Sequence, residues 1–261
     1  MELETVLLEQ VEGIAFIRMN RPKEMNTLNF QLTRDLLKAL EACWDDDGTK
    51  AVVVTGSGKA FCAGGDVAAF QSASDIGDAT RQMTKDFDPL VSGIRRMGKP
   101  VIAMINGVCM GAGLSVAAAC DLRICAATAV FRQAYTSVGL TPDGAWNLHV
   151  PLLIGFGRAS ELLFADPMID ARRALEIGLV TEVVDDAELE NATRKRAQRL
   201  AAGPLKAYAI AKDNLNRAML AVLENQLEQE RLGIMHAART ADAREGITAI
   251  LEKRKPVFRG A

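Results

Sequence analysis

The sequence predicts an α/β fold, and three observations carry the prediction. Residues 51–55 and 101–105 are unbroken apolar runs, short enough for strands buried on both faces. Between the N-terminal strands and the first of these runs lies a stretch with helical spacing, where Leu32, Leu36, Leu37, Leu40 and Cys43 share one face. Beyond residue 189 the pattern changes to periodic helices separated by Gly-Pro and polar breaks. Strand, helix, strand implies parallel, right-handed crossovers. The helical tail implies an appended module.

Taken in order, residues 5–8 and 14–19 read as two strands of a hairpin turning at Glu12-Gly13. The turn RPKEMN follows at 21–26, and Asn29 is placed to cap the amphipathic helix that runs to about Asp45. The strand at 51–55 delivers the chain into GSGKAFCAGGDVAAF, residues 56–70, where Gly64 and Gly65 expose backbone N–H groups before Asp66, a candidate helix cap. This loop lacks the Gly-Lys-Ser/Thr ending of a nucleotide-binding loop, and no GxGxxG follows the first strand, so nucleotide binding is set aside.

The strand at 101–105 ends at Asn106-Gly107. After it, Gly111, Ala112 and Gly113 introduce residues 114–120, which are small and apolar on every side and predict a helix buried all round. The first N–H groups of such a helix lack partners and carry partial positive charge, which suits a negatively charged ligand oxygen. A lone Gly-Ala-Gly equally allows tight packing of a helix on a sheet. Two glycine-flanked loops leaving neighbouring strands would let the N–H groups of Gly65 and Ala112 converge on one oxygen, an arrangement that stabilises an oxyanion. Spacing alone does not show that convergence.

Further along, residues 156–165 and 171–178 read as helices, with Gly178 stopping the second before a strand at 179–184. The tail then reads as helices at 189–201, 204–231 and 242–253.

The 261 residues suffice for a large core, and a formal net charge of -2 argues against nucleic acid or an anionic membrane as main partner. Arg194, Lys195, Arg196 and Arg199 sit beside Asp186, Glu188 and Glu190, as on a solvated helix face. Five cysteines without CxxC spacing read as reduced, buried thiols of an intracellular protein. The N-terminus has neither signal nor transit character, and no apolar run is long enough to span a bilayer, so a cytoplasmic protein is expected. His149 and His236 are the only histidines, and metal ligation is not expected. Cys62 and Cys109 flank the two glycine motifs, but no histidine accompanies them to make a nucleophile.

AFCAGGD at 60–66, KPVIAMINGVCMGAG at 99–113, ACD at 119–121 and VGLTPDGA at 138–145 resemble, in order and spacing, the crotonase superfamily of enoyl-CoA hydratases and isomerases. The likeness runs from NRP at 20–22 to EKRKPVF at 252–258, and it is closest in motif to the 1,2-epoxyphenylacetyl-CoA isomerase-like enoyl-CoA isomerases. The resemblance implies a spiral of ββα units in two stacked sheets over residues 1–200. It also implies a C-terminal helical module, 201–261, that packs a homotrimer or a dimer of trimers. The substrate it implies is a coenzyme A thioester, with no cofactor beyond the coenzyme A that belongs to the substrate. By position, Gly65 and Ala112 correspond to the family's oxyanion-hole donors. Lys23, Met25, Ala63, Asp66, Val67, Ala68 and Tyr135 fall at substrate-binding positions, and Lys253 matches a lysine that reaches the coenzyme A of a neighbouring subunit.

The acid-base residues divide the family. Hydratases carry two glutamates at positions that hold Ser115 and Tyr135 here, which argues against paired-carboxylate water addition. Asp143 remains. As part of Thr141-Pro142-Asp143-Gly144 it reads equally as a turn residue or helix cap. In crotonase isomerases the aspartate of GLxPD faces the thioester as the base. The resemblance therefore implies a double-bond shift through a thioester enolate, with Asp143 as acid/base. For that role the carboxyl would sit in a dry pocket, for which Trp146, Tyr135, Phe131 and Leu140 are near in sequence, and Phe70, Met83 and Phe87 are further candidates to shape the acyl site. Hydration, another lyase or hydrolase reaction, and a non-catalytic acyl-CoA binder are the alternatives. A nucleophilic, dehalogenase-like Asp143 is disfavoured because the helper histidine's position holds Asp88.

Overall fold

The computed structural model describes residues 2–71, 75–219 and 221–261. Strands β1 (Val6–Val11) and β2 (Ile14–Met19) form the expected antiparallel hairpin. Glu12 and Gly13 both take positive φ, 53° and 79°, the two-residue turn whose twist matches paired strands. Helix α1 (Phe30–Asp45) follows; the Asn29 side chain accepts from the Leu32 N–H at 2.8 Å, and Leu32, Leu36, Ala39, Leu40 and Cys43 are buried. The remaining elements run β3 (Ala51–Gly56), β4 (Ala60–Cys62), α2 (Val67–Gln71), α3 (Ile76–Arg96), β5 (Val101–Ile105), β6 (Val108–Met110) and α4 (Ala112–Ala119). After these come β7 (Leu122–Ala126), β8 (Val130–Arg132), α5 (Trp146–Ile154), α6 (Phe156–Ala165), β9 (Ile169–Asp170), α7 (Ala171–Glu176) and β10 (Glu182–Val184). The chain closes with α8 (Leu189–Ala201), α9 (Leu205–Met219), α10 (Leu223–Ala238) and α11 (Ala241–Leu251).

Two sheets result. The larger has the order β1-β2-β3-β5-β7-β10 and is parallel from β2 onward; the smaller has the order β4-β6-β8-β9. Each circuit of the chain lays one strand in the large sheet and the next in the small one, β3 then β4, β5 then β6, β7 then β8. This is the spiral that the resemblance implies. All eight residues of α4 are buried, as its composition predicts.

Three expectations are corrected and one element is added. The glycine loops do not leave β3 and β5 directly; they leave β4 and β6, three-residue strands too short to read from sequence. Residues 76–96, for which the sequence predicts no element, form α3, which buries Met83, Phe87, Leu90, Val91 and Ile94 at helical spacing despite the internal Pro89. The expected single helix at 204–231 is two, α9 and α10. The buried stripe of α10, Leu223, Leu227, Glu230, Ile234 and Ala238, packs chiefly against α3, whereas α9 buries no residue, and one straight helix cannot serve both courses. Finally, the strand at 179–184 begins only at Glu182, because the N–H groups of Leu179 and Val180 turn back to the Ala174 carbonyl.

Among the described residues no helix is long and apolar enough to cross a membrane, and no group of His, Cys, Asp and Glu forms a metal site.

Candidate active site

The loops after β4 and β6 emerge side by side because those strands pair in parallel, Ala60 opposite Val108 and Cys62 opposite Cys109. Gly64 (φ 108°) and Gly111 (φ 51°) meet where the loops touch. A Cβ on Gly111 would lie 3.3 Å from the Gly64 α-carbon, so a side chain there would push the loops apart. Leu28 clasps the first loop, donating to the Gly64 carbonyl and accepting from the Asp66 N–H, each at 2.8 Å. One residue beyond the glycine contact stand Gly65 and Ala112, the latter at the first position of α4. No backbone hydrogen bond of the described residues uses either N–H, and both residues line the same cavity of about 320 Å³. Two unpartnered donors, one at the start of a buried helix, supply partial positive charge to that wall.

The opposite chemistry comes from Asp143. Asp143 lines the cavity and is buried, and Tyr135 Oη donates to its Oδ1 at 2.7 Å. Ser115, on α4, places one hydroxyl hydrogen within reach of two acceptors, the Asp143 carbonyl at 2.8 Å and the Tyr135 oxygen at 3.1 Å. Ser115 and Tyr135 thus hold the aspartate. Gly144 (φ 65°) completes the turn against Phe87 of α3, where a Cβ would come within 2.5 Å of the ring. Burial pushes the Asp143 carboxyl up to about 6, while the Tyr135 hydrogen bond favours the charged form and limits the rise. Burial, and then the neighbouring Asp143 charge, hold the Tyr135 phenol well above its ordinary range, so it stays a donor.

Among the described lining residues Asp143 alone carries a carboxyl group; most of the rest, including Leu28, Val67, Met83, Phe87, Val138 and Ile234, are apolar. An apolar wall facing one carboxylate and two free N–H groups can bind a hydrocarbon chain ending in a polarised carbonyl, and can move a proton beside that carbonyl.

The structure brings together Gly65, Ala112, Asp143, Met25, Ala63, Val67 and Tyr135 in the lining. Lys23, Asp66, Ala68 and Lys253 stand outside it. Arg21 donates to the Asp66 carboxylate at 2.9 Å, joining the loop at 21–27 to the Gly65 loop. Lys23 and Lys253 are exposed. Leu140, Met83 and Phe87 line the cavity as anticipated, whereas Trp146 and Phe131 are buried in the core away from it. The side chain of Phe70 lies outside what the structure describes. Ile234 of α10 and Ile250 of α11 also join the lining, and nothing local in the sequence marks them, because the return of the tail over the core brings them there.

All five cysteines are free and buried, and burial pushes Cys62 up to about 12 and Cys109 well above its ordinary value, so both are inert thiols. His149 is buried and lowered to about 3 by burial and then by Arg95 and Arg123; His236 is exposed, and neither lines the cavity.

Comparison with known proteins gives a consistent picture. The sequence profile of the family described as Enoyl-CoA hydratase/isomerase matches residues 9–261. The chain is 36% identical over 260 residues to a probable enoyl-CoA hydratase of Rhodobacter capsulatus, covering all of both chains. It is 34% identical to the 1,2-epoxyphenylacetyl-CoA isomerase of Escherichia coli, covering 99% of each. The crystal structure of an enoyl-CoA hydratase from Mycobacterium avium subsp. paratuberculosis superposes with a TM-score of 0.91 at 29% identity, over 99% of this chain and all of that one.

Proposed function

Because the chain belongs to the enoyl-CoA hydratase/isomerase family, we propose that it is an acyl-CoA isomerase, shifting a carbon–carbon double bond through a thioester enolate. The observation that carries the reading is that one carboxyl-bearing residue, Asp143, lines the same cavity as Gly65 and Ala112, whose N–H groups have no backbone partner among the described residues.

In the reaction proposed, the ionised Asp143 removes the C2 proton of a 3-enoyl thioester. The electron pair passes into a dienolate whose negative oxygen is held by the two N–H groups, a stabilisation of about 2.7–4 kcal/mol for one such donor in a comparable oxyanion hole. The carboxyl then returns the same proton to C4, leaving the conjugated 2-enoyl thioester and an ionised aspartate. Atoms and charge balance without a cofactor, and coenzyme A enters only as part of the substrate. A carboxyl near 6 is mostly ionised at neutral pH and still basic enough to take a proton, a compromise suited to both half-steps.

Hydration is the second reading, favoured by relatives named as hydratases at 36% identity. It needs Asp143 to activate water alone, since Ser115 and Tyr135 stand where a carboxylate pair would be. The same proposal carries a cytoplasmic homotrimer or dimer of trimers, with Lys253 reaching a neighbour's coenzyme A. Its support is α9, which buries nothing within the protomer and exposes Ile210, Leu215 and Met219.

The test is an assay with 3-hexenoyl-CoA and crotonyl-CoA, with α-proton exchange followed in deuterated water. Wild-type protein should shift the double bond and exchange protons, and Asp143→Asn should lose both by about 10²- to 10⁴-fold. Hydration without isomerisation, or a fully active Asp143→Asn, would overturn the isomerase reading.

A further inference from the structure

Glu230 lies on α10 and is only 4% exposed. Its Oε1 accepts three hydrogen bonds, from the Asn147 backbone N–H at 3.0 Å, the Asn147 side-chain amide at 3.0 Å and the Gln226 amide at 2.9 Å. Asn147 is the second residue of α5. The residue before that helix, Ala145, is in the left-handed region at φ 58° and has no side chain able to cap it. The first N–H groups of a helix otherwise lack partners, and its start carries partial positive charge. A carboxylate delivered from another helix therefore supplies the missing cap.

The attachment reaches the base through a few bonds. The Asn147 amide that meets Glu230 also donates to the Pro142 carbonyl at 3.4 Å, and the Trp146 N–H donates to the Asp143 carbonyl at 3.4 Å. Four residues further along the same face of α10, Ile234 enters the cavity lining. The second oxygen of Glu230, Oε2, is enclosed and has no partner. Among the described residues no cation pairs with this carboxyl. The charged groups that act on it are Asp143 and Asp88 on α3; Arg231, the next residue of its own helix, is held by Glu228. From α5 it meets Asn147, which is uncharged.

We propose that Glu230 is a positioning residue for the reaction at Asp143: it caps α5 from α10 and so fixes the turn that carries the base. The inference rests on the reading of Asp143 as acid/base. An ionised carboxylate accepts a hydrogen bond more strongly than a neutral carboxyl, so the cap tightens as Glu230 loses its proton. Burial, and the nearby Asp143 charge, place that loss at about 7, against the Gln226 and Asn147 hydrogen bonds. The turn is thus held most firmly above neutrality, when Asp143 is already ionised.

Glu230→Gln keeps an acceptor for the Asn147 N–H but cannot ionise, and Glu230→Ala removes the cap. The experiment measures kcat and KM for 3-hexenoyl-CoA from pH 5 to 9 in wild type, both variants and Asp143→Asn, with thermal melts alongside. Wild-type kcat should rise through about pH 6 and again through about pH 7. Glu230→Gln should keep the first rise and lose the second. Glu230→Ala should lower kcat at pH 8 by about tenfold with KM changed less than about threefold, the signature of a displaced base. Should Glu230→Ala fail to fold, the profile of Glu230→Gln decides alone. A Glu230→Gln profile that superimposes on wild type, or a Glu230→Ala that melts lower yet turns over normally, would overturn the inference. Full activity of Asp143→Asn would instead bring down the acid/base reading itself, whatever the Glu230 variants do.

Discussion

Tyr135 donates a 2.7 Å hydrogen bond to Oδ1 of Asp143, and both groups are buried. The pair sets the working range of the carboxyl. Burial raises its proton affinity and the phenol lowers it, and the balance lies near 6 rather than far above neutrality.

Removing the phenol tips that balance. Tyr135→Phe deletes a donor to the charged form, so the Asp143 carboxyl should rise further and the acidic limb of kcat should move upward by roughly one to two pH units. Activity at pH 6 should therefore fall more than activity at pH 9. A pH–rate profile checks this, and an unmoved limb would mean that the phenol does not tune the base.

The N–H of Ala112 can be removed with little disturbance of the fold. Ala112 is the first residue of α4, where proline is tolerated because its missing N–H has no helical partner, and Gly111 before it is free to keep its backbone conformation. Ala112→Pro should melt close to wild type while kcat drops by about 10²- to 10³-fold. Turnover within a factor of a few of wild type would show that this N–H does not hold the developing charge.

Asp143 should also cost the protein stability at neutral pH. Its carboxyl is raised from its ordinary 3.8 to about 6 in the folded chain. The folded state therefore binds this proton more tightly than the unfolded state does. The stabilising contribution is complete below about pH 3.8 and is lost as pH rises through about 6. Asp143→Asn, neutral at every pH and still an acceptor for Tyr135, should be more stable than wild type at pH 8 by on the order of 1–3 kcal/mol. The advantage should shrink toward pH 4. Chemical denaturation at the two pH values reads the difference, and an equal or less stable variant at pH 8 would contradict a buried, strained charge.

What the sequence determined on its own is local. The apolar runs at 51–55 and 101–105, the Asn29 cap, the Glu12-Gly13 hairpin and the buried α4 all follow from backbone hydrogen bonding and from which side chains avoid water, and both leave a pattern within a few residues. Motif order, through resemblance to a family, added Gly65, Ala112 and Asp143 as candidates, and the structure gathers all three into one cavity. What only the tertiary structure decided is which distant segments meet. The ion pair of Asp66 with Arg21, 45 residues away in sequence, leaves no local signal. Tyr135 looked like the loss of a carboxylate until its hydroxyl met Asp143. Helix α3 has no clear local signal because its polar surface and Pro89 obscure a buried stripe that packs chiefly against α1 and α10. Glu230 had no local signal at all, because its partner is the uncapped start of α5, 83 residues earlier. A helix end without a cap is visible in sequence, but the group that satisfies it is chosen by packing.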